Sequence, residues 1–360
     1  MDSLSRLTIV IPTFGRPDFL RRQIAYWQDS AVRIVIADGD STSTFKEDGL
    51  DSPSLTYLRL GGDFHGRMLR LADEVNTEFV AVLGDDDFFS QDGLRACLRR
   101  LDSDNSVIGC VGRSIRFFYQ DGRILAEQRD PESKEFPREV TSGVERLFAT
   151  YHPGKIGALF YGVYRSEVWK PVVKAAYSRK FSTGYIYDTI IRTLLTYRGA
   201  VGVEESVTWF CSAENPPVKS APGMNRQVDL LEWLVDPRFR TEVEECQQFL
   251  IHELSRLNLS TTTELAVAVH FVFDELRCRY EQKARNNTRL GRRFVAYAKR
   301  VFPRPIKLLV KTWAPKRFRA QIDWTFQDLG IVGKQLESVG ISVSREDLDR
   351  IAQSVLKFHS

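Results

Sequence analysis

Phe79-Val80-Ala81-Val82-Leu83 runs into Gly84-Asp85-Asp86-Asp87, an apolar stretch that ends in three consecutive carboxylates. Five apolar residues in a row are the pattern of a strand buried on both faces, as in a parallel sheet. Such a strand needs helices on both sides, which points to an α/β architecture. Three acids at its carboxyl end repel one another unless positive charge lies among them. A hard divalent cation, Mg²⁺ or Mn²⁺, held by carboxylates and phosphate oxygens is one source of that charge. A solvated acidic turn that merely closes the strand is the other reading. Ligands of open α/β sheets bind beyond the carboxyl ends of the strands, where these acids lie.

The flanking sequence repeats the pattern. Leu7–Ile11 is a buried-type strand broken by Pro12, and Pro17 opens a helix with Phe19, Leu20, Ile24 and Trp27 at helical spacing. Val32–Ala37 is a second strand ending in Asp38-Gly39-Asp40-Ser41, and Leu55–Leu60 a third. Met68, Leu69, Leu71, Ala72 and Val75 mark a second helix that leads into the acidic strand. The order β-α-β-β-α-β predicts a doubly wound α/β domain. A helix over Gln91–Leu101 and strands at Val107–Val111, Ser114–Tyr119 and Gly157–Arg165 follow, with a loop over Asp121–Arg138. A helix begins near Asp188. The proline-rich stretch Glu214–Gly223 marks a boundary or loop. Beyond it the periodicity is helical at Val228–Val235, Glu242–Leu257, Thr262–Arg285, Leu290–Val301 and Arg345–Lys357. Two regions are expected, 1–215 and 216–360.

Composition excludes several classes. A chain of 360 residues with 43% hydrophobic and 27% charged content is ordinary for a soluble protein. No apolar run approaches the ~20 residues that span a bilayer, and the first residues lack a signal-peptide layout. The five cysteines are scattered, with no Cys-x-x-Cys pair, so neither a disulfide framework nor a zinc site is indicated. A reducing cytoplasm is the expected compartment. Gly-x-Gly-x-x-Gly and Walker A loops are absent, and His252-Glu253 lacks the second histidine of a metalloprotease helix. His270, in an apolar helical pattern, is expected in the core.

Charge is unevenly spread. Residues 277–319 carry 15 Lys/Arg and one acid, +14 in a chain of net +4, leaving −10 elsewhere. Cations interleaved with Phe294, Val301, Phe302, Leu308, Leu309 and Trp313 suit an anionic membrane surface. A helical bundle with a solvated cationic face fits as well, and nucleic acid less so.

Taken together, Ile9-Val10-Ile11-Pro12-Thr13-Phe14, Val35-Ile36-Ala37-Asp38-Gly39-Asp40-Ser41, Leu83-Gly84-Asp85-Asp86-Asp87 and Tyr187-Asp188-Thr189-Ile190-Ile191-Arg192 resemble the GT-A glycosyltransferases of family 2. The resemblance covers about residues 5–212. It implies a GT-A, Rossmann-like mixed sheet flanked by helices, followed here by a mostly helical C-terminal region. It also implies an inverting, metal-dependent enzyme that moves a sugar from a nucleoside-diphosphate sugar, UDP-linked first, to a glycan or lipid-linked acceptor.

Laid onto this chain, the family pattern has Pro12, Thr13, Phe14 and Arg16 lining the nucleotide. Asp38 would hydrogen-bond base or ribose, and Arg67 or Arg70 a base or phosphate. Asp85 and Asp86 would meet ribose and diphosphate, Asp87 with Asp85 would hold Mn²⁺ or Mg²⁺, and Asp188 would be the catalytic base. Family members often carry an acid where this chain has Gly84, and Glu where it has Tyr187. The register of the Asp-x-Asp motif therefore stays open by one residue.

Each candidate has a plain structural role beside the chemical one. Asp38 can close a turn through its side chain. Asp188 can cap its helix. Arg67 and Arg70 can lie on a solvated helix face. Tyr161, Tyr164 and Trp209 can stack on acceptor sugar or simply pack. His152 sits in a loop. Two other functions remain: a sugar-nucleotide nucleotidyltransferase, which would normally show a glycine-rich phosphate loop, and a non-catalytic nucleotide-sugar-binding or scaffold protein. A peripheral position at the inner face of a membrane accompanies the lipid-linked acceptor.

Overall fold

The computed structural model describes residues 2–42, 45, 54–129, 140–151, 159–214, 228–286 and 326–360. The expected helix at Leu290–Val301, most of the basic segment, His152, and much of the 121–138 and 214–223 stretches lie outside the described residues.

β1 (Leu7–Thr13), β2 (Arg33–Asp38), β3 (Leu55–Arg59) and β4 (Phe79–Val82) form the parallel half of a mixed sheet in the order β4-β1-β2-β3. The expected break at Pro12 does not occur, because β1 continues to Thr13. The peptide N–H of Leu83 donates to Val10 on the β4 side of β1, beyond which β4 ends. Pro12 shares that orientation, so its missing N–H costs no ladder bond. α1 (Pro17–Trp27) and α2 (Phe64–Glu74) connect these strands.

β5 (Phe88–Phe89) follows the acid turn, and α3 (Gln91–Ser103) leads into β6 (Val107–Gln120). The two strands expected at Val107–Val111 and Ser114–Tyr119 are one long strand. The expected loop at Asp121–Arg138 instead begins as a hairpin: Asp121 and Gly122 take positive φ, and β7 (Arg123–Arg129) pairs with β6. Asp-Gly is the standard residue pair for such a turn. α4 (Gly143–Tyr151) follows, then β8 (Val163–Arg165), which runs antiparallel to β4 and β6; of the strand expected over Gly157–Arg165, residues 157–158 lie outside the described residues and Leu159–Tyr161 is a 3-10 turn. α5 (Ser166–Ala176), α6 (Ile186–Arg198) and β9 (Ala200–Ser212) come next. β9 runs parallel to β6 and also pairs with β5.

α7 (Leu230–Val235), α8 (Arg240–Ser255) and α9 (Thr262–Asn286) follow. Trp233, Leu250, Leu254, Val269 and Val272 join the same buried cluster as Leu194, Tyr197 and Trp169 of α5 and α6. His270 is exposed on α9, not in the core: the helix buries Leu265, Ala268, Val269 and Val272 and turns position 270 outward. β10 (Gln327–Asp328) adds to β7. α10 (Leu329–Ser338) and α11 (Arg345–His359) pack on the other face of the sheet with α1 and α3. Buried Asp347 of α11 accepts from Ser90 Oγ (2.6 Å) and Asp92 N (3.0 Å), which ties α11 to the start of α3. No helix among the described residues is long and apolar enough to cross a membrane.

Candidate functional site

The acid turn lies at the carboxyl edge of the parallel strands, between β4 and β5. Asp87 N donates to Gly84 O (3.2 Å) and closes it. Asp85, Asp86 and Asp87 are all buried. Asp85 is held by β1 and the turn after it: Thr13 Oγ1 donates to Oδ2 (2.7 Å) and Arg16 Nη1 to Oδ1 (2.5 Å). Asp87 is held by β9, where Trp209 Nε1 donates to Oδ2 (3.1 Å) and Ser212 N to Oδ1 (2.8 Å). Asp86 Oδ1 lies 3.9 Å from Arg16 Nη1.

Electrostatics here are costly. Burial raises the Asp85 pKa even though Arg16 and Thr13 pull it down. Burial, then the charge of Asp86, pushes Asp87 up to about 8 against the donors Ser212 and Trp209. A carboxylate cluster in that condition attracts a cation.

Gly84 makes room for the cluster. A Cβ there would sit 3.0 Å from Asp87 Oδ2 and 3.1 Å from Asp86 Oδ1. Both oxygens therefore border the space that the missing side chain leaves. Their hard oxygen donors suit Mg²⁺ or Mn²⁺. No cluster of three or more His, Cys, Asp or Glu arranged for a metal occurs among the described residues. Diphosphate oxygens and water would have to complete the shell, as is usual for Mg²⁺ beside a nucleotide.

β2 supplies the second wall. Asp38 is buried; Tyr57 Oη donates to its Oδ2 (2.8 Å) and Asp40 N to its Oδ1 (2.9 Å). The second of these is the turn-closing bond the sequence allowed. Gly39 is required by what lies over it, since a Cβ there would fall 1.9 Å from Arg67 Nη1 and 2.9 Å from Phe14. Arg67 is buried, its guanidinium 5.5 Å from the Phe14 ring centroid, with Nη1 donating to Gly62 O (3.1 Å). Arg70 points elsewhere, exposed and paired with Glu74 at 2.5 Å. Of the two arginines, only Arg67 belongs to this edge.

Asp188 does not cap α6. The N-cap position is Tyr185, which makes no side-chain cap bond, and Asp188 sits inside the first turn, 3.1 Å from Arg192 Nη2. It lines a cavity of about 200 Å³ with Tyr151, Tyr185, Arg192, Arg279 and Tyr280. No hydrogen bond or ion pair among the described residues joins Asp188 to the acid turn. Tyr164 is core, its hydroxyl bonded to Leu159 O. Trp209 stacks on Tyr161 (centroids 3.9 Å apart) and braces Asp87.

Sequence reading passed over Tyr57, Ser212, Arg22 and Gln23. Gln23 Nε2 donates to Asp85 O (3.2 Å) and Arg22 Nη2 to Asp86 O (2.7 Å). No local signal marks them, because their partners lie 62 and 64 residues away.

Residues 8–165 match the family model described as glycosyl transferase family 2. This stretch, a little under half of the chain, is similar to glycosyl transferase family 2, and the mixed sheet flanked by helices is consistent with a GT-A fold. No curated protein matches the chain. Among solved structures, S. aureus TarS 1–349 in complex with UDP-GlcNAc is 13% identical, with 98% of this chain and 91% of that chain covered at a TM-score of 0.48. The UDP complex of the same protein gives 12% identity, the same coverages and 0.47. A further S. aureus TarS 1–349 structure gives 13%, 77% of this chain, 91% of that chain and 0.43. Within the matched residues, the acid turn, the end of β1 and the end of β2 form one continuous edge.

Proposed function

We propose that this domain transfers a sugar from a nucleoside-diphosphate sugar to a hydroxyl of a glycan or lipid-linked acceptor, with inversion and with a divalent cation. One observation carries the reading. Three separate strand ends converge on a buried carboxylate cluster, with Thr13 and Arg16 bonded to Asp85 and Arg67 lying over Gly39 beside Asp38. Carboxylates held in place by Thr13 and the half-buried Arg16, beside the buried Arg67, are more than a solvated turn requires and suit a sugar nucleotide.

Asp38 offers a carboxylate to a base that carries an N–H, uracil first, with guanine and thymine as the rivals. Thr13 and Arg16 hold Asp85 in place for the ribose or diphosphate. Asp86 and Asp87, with Asp85 behind them, would hold Mn²⁺ or Mg²⁺, which when bound neutralises charge on the leaving diphosphate. Asp188 would accept the acceptor proton; a positioned carboxylate contributes about 10²–10⁴ in rate. One base and no enzyme nucleophile give single displacement. The cavity at Asp188 supports this role by leaving its carboxylate open to a ligand. The basic segment 277–319 would bring the enzyme to an anionic membrane surface, and liposome sedimentation with and without anionic lipid tests that.

The deciding experiment is a thermal-shift panel of UDP, GDP, dTDP and their sugars, with and without Mn²⁺. Stabilisation by one diphosphate, larger with Mn²⁺, is expected. No stabilisation by any of them would refute the reading. Turnover of the preferred donor with Mn²⁺ separates an enzyme from a non-catalytic module.

A further inference from the structure

The backbone carbonyls of the acid turn are held from one side by a single helix. Gln23 Nε2 donates to Asp85 O (3.2 Å) and to Asp87 O, and Arg22 Nη2 donates to Asp86 O (2.7 Å). Gly84 O takes the turn-closing Asp87 N. One helical turn further on, Tyr26 Oη donates to Phe89 O (2.7 Å) in β5. Every carbonyl from Gly84 to Asp87 therefore has a donor. The Gln23 amide is oriented by its neighbour: Trp27 Nε1 donates to Oε1 (3.1 Å), which leaves the nitrogen to face the turn.

Arg22 is a costly choice for a purely structural tie. It is 5% exposed, and its guanidinium lies 4.8, 4.9 and 4.7 Å from the ring centroids of Phe19, Phe88 and Phe358. Its Nη1 is 3.8 Å from Glu214. Burial of a charge is expensive unless it is paired and hydrogen-bonded, and Arg22 is only partly compensated, since its Nε and Nη1 make no hydrogen bond. The consequence is geometric. With its carbonyls fixed toward α1, no peptide of the turn can rotate. The Asp85 and Asp87 carboxylates are then confined to the groups that meet them, Thr13, Arg16, Trp209 and Ser212.

We infer that Arg22 and Gln23 are positioning residues for recognition of the diphosphate. They act through the Asp85–Asp87 backbone and do not touch the substrate. The inference rests on the nucleotide-sugar reading above and goes beyond it by assigning diphosphate recognition to a helix that lies behind the turn.

The test separates the diphosphate end of the ligand from the base end, which Phe14, Asp38 and Arg67 would serve. Calorimetry measures the best-binding diphosphate of UDP, GDP and dTDP with Mn²⁺, and ligand-observed NMR measures the matching nucleoside. Gln23→Met should weaken the diphosphate roughly tenfold or more while the nucleoside stays within about twofold. Arg22→Lys, which keeps the charge and a donor, should lie nearer wild type than Arg22→Met. Unchanged diphosphate affinity in Gln23→Met overturns the inference, as does equal loss of nucleoside and diphosphate, the mark of general loosening. If Gln23→Met does not fold, Gln23→Asn is judged by the same two affinities. A wild type that binds none of the three diphosphates overturns the functional reading and this inference with it.

Discussion

Replacing Gly39 with alanine should cost stability through one neighbour, Arg67. The new Cβ would lie 1.9 Å from Arg67 Nη1 and 2.7 Å from its Cζ, so the guanidinium must leave. Its departure breaks the bond to Gly62 O and the contacts with the rings of Phe14 and Phe64, each 5.5 Å from the guanidinium. A hydrogen bond from a charged group and one or two cation–π contacts put the cost at about 2–4 kcal/mol. In an Arg67→Ala background the nearest of these neighbours left is Phe14, 2.9 Å from the new Cβ, and a half-buried ring can tilt. There Gly39→Ala should cost about 1 kcal/mol or less. Equilibrium urea unfolding of the wild type, the two single variants and the double variant measures the coupling, expected at about 1–3 kcal/mol. Costs that add to within about 0.5 kcal/mol would refute the packing of Arg67 over Gly39.

Asp63 caps α2 by accepting from Gly66 N (3.0 Å), and the Lys180 ammonium, then that cap bond, holds its pKa below the usual value. Asp63→Ala should cost about 1 kcal/mol near neutral pH. Because the folded pKa is depressed, that contribution is present above pH 3.8 and fades as pH falls through the folded value, so urea midpoints of variant and wild type should converge in acid. Asp347→Ala removes the acceptor for Ser90 Oγ and Asp92 N and should cost about 2–3 kcal/mol, read as a lowered urea midpoint. Asp188→Asn should abolish sugar transfer while the nucleoside diphosphate binds as before; full activity would remove Asp188 from the mechanism.

Much of the fold was legible because single stretches carry it. Leu7–Ile11, Val32–Ala37, Leu55–Leu60 and Phe79–Leu83 are apolar runs or half-buried strands, and strands occur there at Leu7–Thr13, Arg33–Asp38, Leu55–Arg59 and Phe79–Val82. Pro17 at the first helical position and the periodic residues after it gave α1. Other elements were not legible. α5 carries Pro171 inside it, which reads as a breaker. β9 interrupts its apolar residues with Glu204 and Glu205 and is held in place by partners in β5 and β6.

By itself, the sequence determined that a buried parallel strand ends in three adjacent carboxylates, and that two more strand ends precede it in the family's order. Period and composition settle such matters within a dozen residues. Only the tertiary structure decided which groups meet those acids: Thr13 and Arg16 on Asp85, Trp209 and Ser212 on Asp87, Arg22 and Gln23 behind them. It also sent Arg67 into the edge and Arg70 out to Glu74, though both stand on one helix. The physical reason is that hydrogen-bond partners and burial are set by which elements pack together, and residues 62 to 125 positions apart leave no local trace of their pairing.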